Sequence, residues 1–84
     1  MSRLWPDGLP LQVQSDAAGR PIALVIGGRR RRIREIMTRR RRRGAWWQQE
    51  FWQEYLTLLT DDRLIVTLLR DLPDGSWRLL RLYD

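Results

Sequence analysis

Between Arg29 and Arg43, ten of fifteen residues are arginine and one is glutamate, and a segment so charged cannot be the core of a small fold. Its own conformation is constrained as well. A helix would hold five consecutive like charges, Arg39 to Arg43, with no acidic partner one turn away except Glu35. Against this, Ile33, Ile36 and Met37 recur at steps of three and four and arginine is a good helix former. A basic helix over 30–43 therefore stays open beside a strand. The strand reading is preferred, because the segment follows Gly27-Gly28, a natural hairpin corner. It takes Ile33 to Thr38 as strand and Arg39 to Arg43 as a loop whose side chains converge.

The rest of the chain is punctuated for β structure. Leu11-Gln12-Val13-Gln14-Ser15 alternates apolar and polar, Asp16 to Pro21 supplies turn residues, and Ile22 to Ile26 is rich in β-branched side chains. Tyr55 to Leu59 and Leu64 to Leu69 flank the turn Thr60-Asp61-Asp62-Arg63, and a last strand runs from Trp77 to Tyr83. The expected fold class is mainly all-β, a small antiparallel meander or open barrel of five or six strands. Residues 1–10, with Pro6, Gly8 and Pro10, read as an irregular lead-in, and 11–84 as a single small β domain with an Arg-rich segment at 29–43. One short helical segment is expected near residues 45–54, where Trp47, Phe51 and Tyr55 recur at steps of four without Gly or Pro. Val13, Leu24, Ile26, Ile33, Leu58, Val66, Leu68, Trp77 and Leu79 are expected to face one core. That core must be thin, since a chain of 84 residues buries only about 60% of the surface it exposes when unfolded.

Charge carries the functional signal. The chain bears a net +6, while its arginine segment alone holds ten Arg against one Glu, a net of +9, so the remainder, with six Arg and nine acids, is at −3. The absence of Lys, His, Cys and Asn suggests a coding bias that writes every cation as arginine. Such a bias does not explain the clustering. Protecting a sheet edge needs one or two cations, not ten, whereas a concentrated field of one sign is the footprint of a polyanion-binding surface. Arginine forks bidentately onto phosphate, and tryptophan offers a face on which an unstacked base can lie. The candidate nucleic-acid-binding residues are Arg29, Arg30, Arg31, Arg32, Arg34, Arg39, Arg40, Arg41, Arg42 and Arg43, with Trp46 and Trp52, which fall off the Trp47-Phe51-Tyr55 face.

Catalysis has little support. Asp61, Asp62, Asp71 and Asp74 sit in expected turns, where Asp bonds its own backbone, and no Ser-His, Cys-His, glycine-rich phosphate loop or metal-ligand spacing occurs. Neither enzyme activity, a metal nor a cofactor is expected. The apolar run Ile22 to Ile26 is far shorter than the roughly 20 residues that span a bilayer, and no signal-peptide pattern opens the chain. The expected location is the cytoplasm, on the nucleoid of a prokaryote, with no membrane partner.

One string of landmarks resembles a known family: Gly28-Arg29-Arg30, Ile33-Arg34-Glu35-Ile36, Trp46-Trp47, Tyr55, Leu59-Thr60-Asp61-Asp62, Arg70-Asp71 and Trp77-Arg78-Leu79-Leu80-Arg81-Leu82-Tyr83-Asp84. From about Leu11 the chain is similar to a small bacterial domain-of-unknown-function family, DUF6504, and to the C-terminal segment of the inactive Y-family polymerase homologue of the bacterial mutasome. It departs from that pattern at Arg31, where an aromatic is usual, and at Gln48-Gln49-Glu50, where Pro or Gly often follows the Trp pair. The resemblance implies a DNA repair or translesion-synthesis context and supplies no catalytic residues. Two functions are therefore expected. The first is a non-catalytic module gripping backbone phosphates, DNA more than RNA. The alternative is a protein-interaction module docking on a repair or polymerase assembly through exposed Trp and a sheet edge.

Overall fold

Gly27 and Gly28 make a tight corner. Both have positive φ, 60° and 75°, and they join Ile26 and Arg29 as directly paired residues. This is the two-residue turn whose twist matches that of the strands it connects. The strands it joins are β2 (Pro21–Ile26) and β3 (Arg29–Trp46); the others are β1 (Ser2–Ser15), β4 (Gln49–Thr60), β5 (Ile65–Asp71) and β6 (Trp77–Tyr83). The computed structural model describes residues 2–46, 49–72 and 75–83, and at 2, 44–46 and 49–51 the course of the backbone alone.

All six strands are antiparallel to their neighbours and close into one barrel in sequence order, β6 returning to β1. Closure depends on two long strands that change partner along their length. The first half of β1 pairs with β6, from Ser2↔Tyr83 to Leu11↔Trp77, and its second half pairs with β2, from Gln12↔Val25 to Ser15↔Pro21. In the same way Arg29 to Arg32 of β3 pair with β2, and Ile33 to Trp46 pair with β4. Register shifts between Ile33 and Glu35 and between Ile36 and Thr38 bend β3 where it passes from one partner to the other.

Three expectations are corrected. Residues 2–10 are strand, not lead-in: they pair with β6 alone, at Ser2 to Leu4 and again at Leu9 and Pro10, so prolines without an N–H are accommodated. The non-pairing stretch between Leu4 and Leu9 includes Gly8, at φ 79°; a Cβ there would meet Arg78 Cβ at 2.8 Å. The short helix expected near 45–54 is absent among the described residues, which belong to β3 and β4; Trp47 and Gln48 lie outside them. Arg39 to Arg43 are not a loop but the paired second half of β3.

Alternation along the strands fills the barrel. Leu24, Leu56, Leu58, Val66, Leu68, Trp77 and Leu79 form its buried cluster, and Val13, Ile26 and Ile33 pack against it. All nine residues expected in one core thus lie in it or against it, and Leu56 joins them. Leu58→Ala should cost about 2–5 kcal/mol, from lost transfer energy and the cavity left behind. In a domain this small that is a large share of total stability. Thermal melting followed by circular dichroism should show a fall of many degrees or an unfolded chain.

Candidate nucleic-acid interface

Directly paired residues of an antiparallel ladder share a face, so the pairing of β3 with β4 sorts the second arginine run into two sets. Arg39, Arg41 and Arg43 pair with Leu56, Glu54 and Trp52, and Leu56 and Glu54 are buried. These arginines therefore stand on the inner side. Arg40 and Arg42 pair with Tyr55 and Gln53 and, with Thr38, Tyr55 and Thr57, line a shallow outer depression of about 470 Å³. Same-face neighbours are two residues apart, about 6.6 Å, close to twice the roughly 3.4 Å axial spacing of phosphates along one DNA strand.

The inner set is held by counter-charge. Glu54, 1% exposed, receives the Nε of Arg41 at 2.9 Å and faces the Nε of Arg39 at 3.3 Å. A carboxylate so buried is tolerable only with such partners. Arg43 lies over the ring of Trp52, 4.7 Å from its centroid, a cation–π contact. Trp52, taken from sequence as a platform for a base, thus has one face covered by a guanidinium and is 37% exposed. The side chain of Trp46, the other candidate platform, lies outside the described residues.

The first run is likewise divided. Arg30 donates to Gln14 Oε1 at 2.7 Å, and Arg31 forms an ion pair with Asp62. Asp62 also accepts a 2.6 Å hydrogen bond from the Thr60 hydroxyl. That bond, with the Arg31 charge beside it, outweighs partial burial and holds the Asp62 carboxyl below its ordinary 3.8. By contrast Arg29, Arg32, Arg34 and Arg40 make no ion pair or side-chain hydrogen bond with another described residue. These four and Arg42 are exposed.

Opposite β4, the edge of β3 from Ile33 to Trp46 is unpaired among the described residues. Long cationic side chains along such an edge discourage another strand from adding to it. Three residues are not expected at the interface from the sequence: Tyr55, which turns outward beside Arg40 rather than inward with a helix, and Arg20 and Arg70, which are remote from the run but approach Arg39 and Arg41. Among the described residues no group of three His, Cys, Asp or Glu side chains is placed to hold a metal ion. Comparison of the chain with protein-family models, curated proteins and solved structures finds no match.

Two outcomes follow from the pairings. Arg39→Gln with Arg41→Gln leaves the Glu54 carboxylate buried without a cation and should destabilise by about 3 kcal/mol. Arg40→Gln with Arg42→Gln should change melting little, because those side chains leave no buried charge behind. For Asp62 the folded carboxyl titrates below the unfolded one, so its contribution is fully present above 3.8 and is lost as pH falls through the lowered value. The stability difference between the native chain and Asp62→Asn should therefore be present at neutral pH and close in acid, as read from denaturant midpoints across that range.

Proposed function

We propose that this protein is a non-catalytic nucleic-acid-binding module that grips backbone phosphates, DNA in preference to RNA, in a repair or translesion-synthesis setting. The observation that carries the reading is the row of exposed arginines along β3, four of them with side chains in no ion pair or hydrogen bond with another described residue, with Tyr55 and two threonine hydroxyls on the same outer face as Arg40. Uncompensated like charges on one strand repel one another, and phosphates relieve that repulsion. Tyr55 offers a ring edge or face to a base or sugar, and Thr38 and Thr57 offer hydroxyls to phosphate oxygens. The setting rests on the resemblance of the Trp-Trp and terminal Trp-Arg-Leu landmarks to the mutasome segment.

Binding of this kind is sequence-tolerant and salt-dependent. If about five arginines neutralise phosphates, log affinity should fall with log salt at a slope of about −4.5 on duplex and about −3.5 on single strands. Arg32→Gln, Arg34→Gln, Arg40→Gln and Arg42→Gln together should weaken every sequence alike and flatten the slope by about 0.9 per residue removed on duplex. Titrations of labelled oligonucleotides at several salt concentrations measure both. A slope near zero would defeat the reading.

The open edge of β3 and the exposed part of Trp52 favour the second reading, docking on a repair or polymerase protein through acidic side chains of the partner. Failure of all oligonucleotides to bind, with retained capture of an acidic repair partner lost on Trp52→Ala, would decide for it.

A further inference from the structure

At one end of the barrel a cavity of about 560 Å³ is lined by four guanidiniums, those of Arg20, Arg39, Arg41 and Arg70, against a single carboxylate, Glu54. The local balance is +3, and three of the four cations are positioned before any ligand arrives. Arg39 and Arg41 are fixed through Nε on Glu54. Arg70 packs over the Trp77 ring, 5.0 Å from its centroid, and donates from Nη1 to the Gly19 carbonyl at 3.2 Å. Its Nε is buried with no hydrogen-bond partner, which a native interior rarely tolerates without cause. Arg20 is carried by a turn locked on Asp16, whose Oδ1 accepts from the Arg20 amide at 2.9 Å and whose own amide donates to the Arg20 carbonyl at 2.9 Å. The Arg20 side chain has no ion pair with a described residue.

Excess cationic charge, donors in fork geometry and a concave wall together select a compact anion of high charge. A phosphate monoester fits better than the diester of a continuous backbone, because it carries up to two charges and only one substituent. The site lies between the β1–β2 turn and side chains of β3, β4 and β5 and is open to solvent, so its excess of positive charge is what favours the more highly charged monoester. We propose that the cavity receives the phosphorylated end of a nucleic-acid strand, while the outer arginines hold the backbone that leads to it. This rests on the nucleic-acid reading above and adds to it a preference for strand ends.

The test compares one single-stranded oligonucleotide carrying a 5′-phosphate, a 3′-phosphate or hydroxyls at both ends, by fluorescence anisotropy at fixed ionic strength. Inorganic phosphate and adenosine monophosphate serve as competitors. One of the phosphorylated forms should bind about tenfold tighter than the hydroxyl-ended strand, as expected for gaining a charge-assisted contact. That advantage should vanish in Arg70→Gln and in Arg20→Gln, the latter in an exposed turn where folding is not at risk. Arg40→Gln with Arg42→Gln should instead weaken all three forms alike. Equal binding of the three forms would overturn the strand-end assignment and leave backbone binding standing. No binding of any form would overturn both. Adenosine monophosphate binding as tightly as the phosphorylated strand, with loss in Arg70→Gln, would assign the cavity to a free nucleotide and overturn the strand end as its ligand.

Discussion

Repulsion among arginines is the constraint that the rest of the structure accommodates. Ten guanidiniums in fifteen residues could not share one surface at close quarters without a large cost, and an extended strand divides them by geometry. Successive side chains point to opposite faces, so neighbours in sequence are separated in space and each face receives every second charge. The two faces then meet different fates. On the inner side the barrel brings Glu54 between Arg39 and Arg41 and Trp52 beneath Arg43, while Arg40 and Arg42 stand exposed on the outer side. One stretch of sequence therefore provides both a structural element and a charged surface.

Partner exchange along β1 and β3 has a second consequence. Because β2 has only six residues, it can bridge β1 and β3 over part of their length, and both longer strands run on with one side open. The open side of β3 adjoins the turn at Ala18 to Arg20, and the cavity lies there. Its charge is thus a product of closure: Arg20, Arg39 and Arg70 are far apart in sequence, and only the ring of strands brings them to one wall.

Where the sequence was legible, the reason was parity. Leu24 and Ile26, Leu56 and Leu58, Val66 and Leu68, and Trp77 and Leu79 alternate with residues facing out, and the turns between them are marked by Gly, Asp or Pro. The same regularity misled at residues 45–54, since a step of four is close to one helical turn and is also two strand repeats. Trp47, Phe51 and Tyr55 are consistent with either period. Only Tyr55 can be assigned, and it faces outward beside Arg40. The loop expected at Arg39 to Arg43 failed for a related reason. Nothing within those five residues signals a strand, because what holds them is a ladder to residues 52–56 and a glutamate buried on the other strand. The site was half visible: the cations were evident, but not their division between faces, nor the recruitment of Arg20 and Arg70.

Glu54 is the residue whose presence is hardest to account for by stability alone. Burying a carboxylate costs several kcal/mol even when it is paired, and an apolar side chain of the same size would commonly serve the fold as well. What an apolar residue would not do is fix two guanidiniums. Each uses Nε toward Glu54, one of five donors on a rigid plane, so the plane is oriented and other donors remain on it. Lysine could not divide itself in this way, since its ammonium is a point charge on a flexible stem. A compositional bias toward arginine accounts for the kind of cation in this chain. The buried acid between two of them is what turns that kind into an oriented pair, and an oriented pair loses less freedom when an anion arrives.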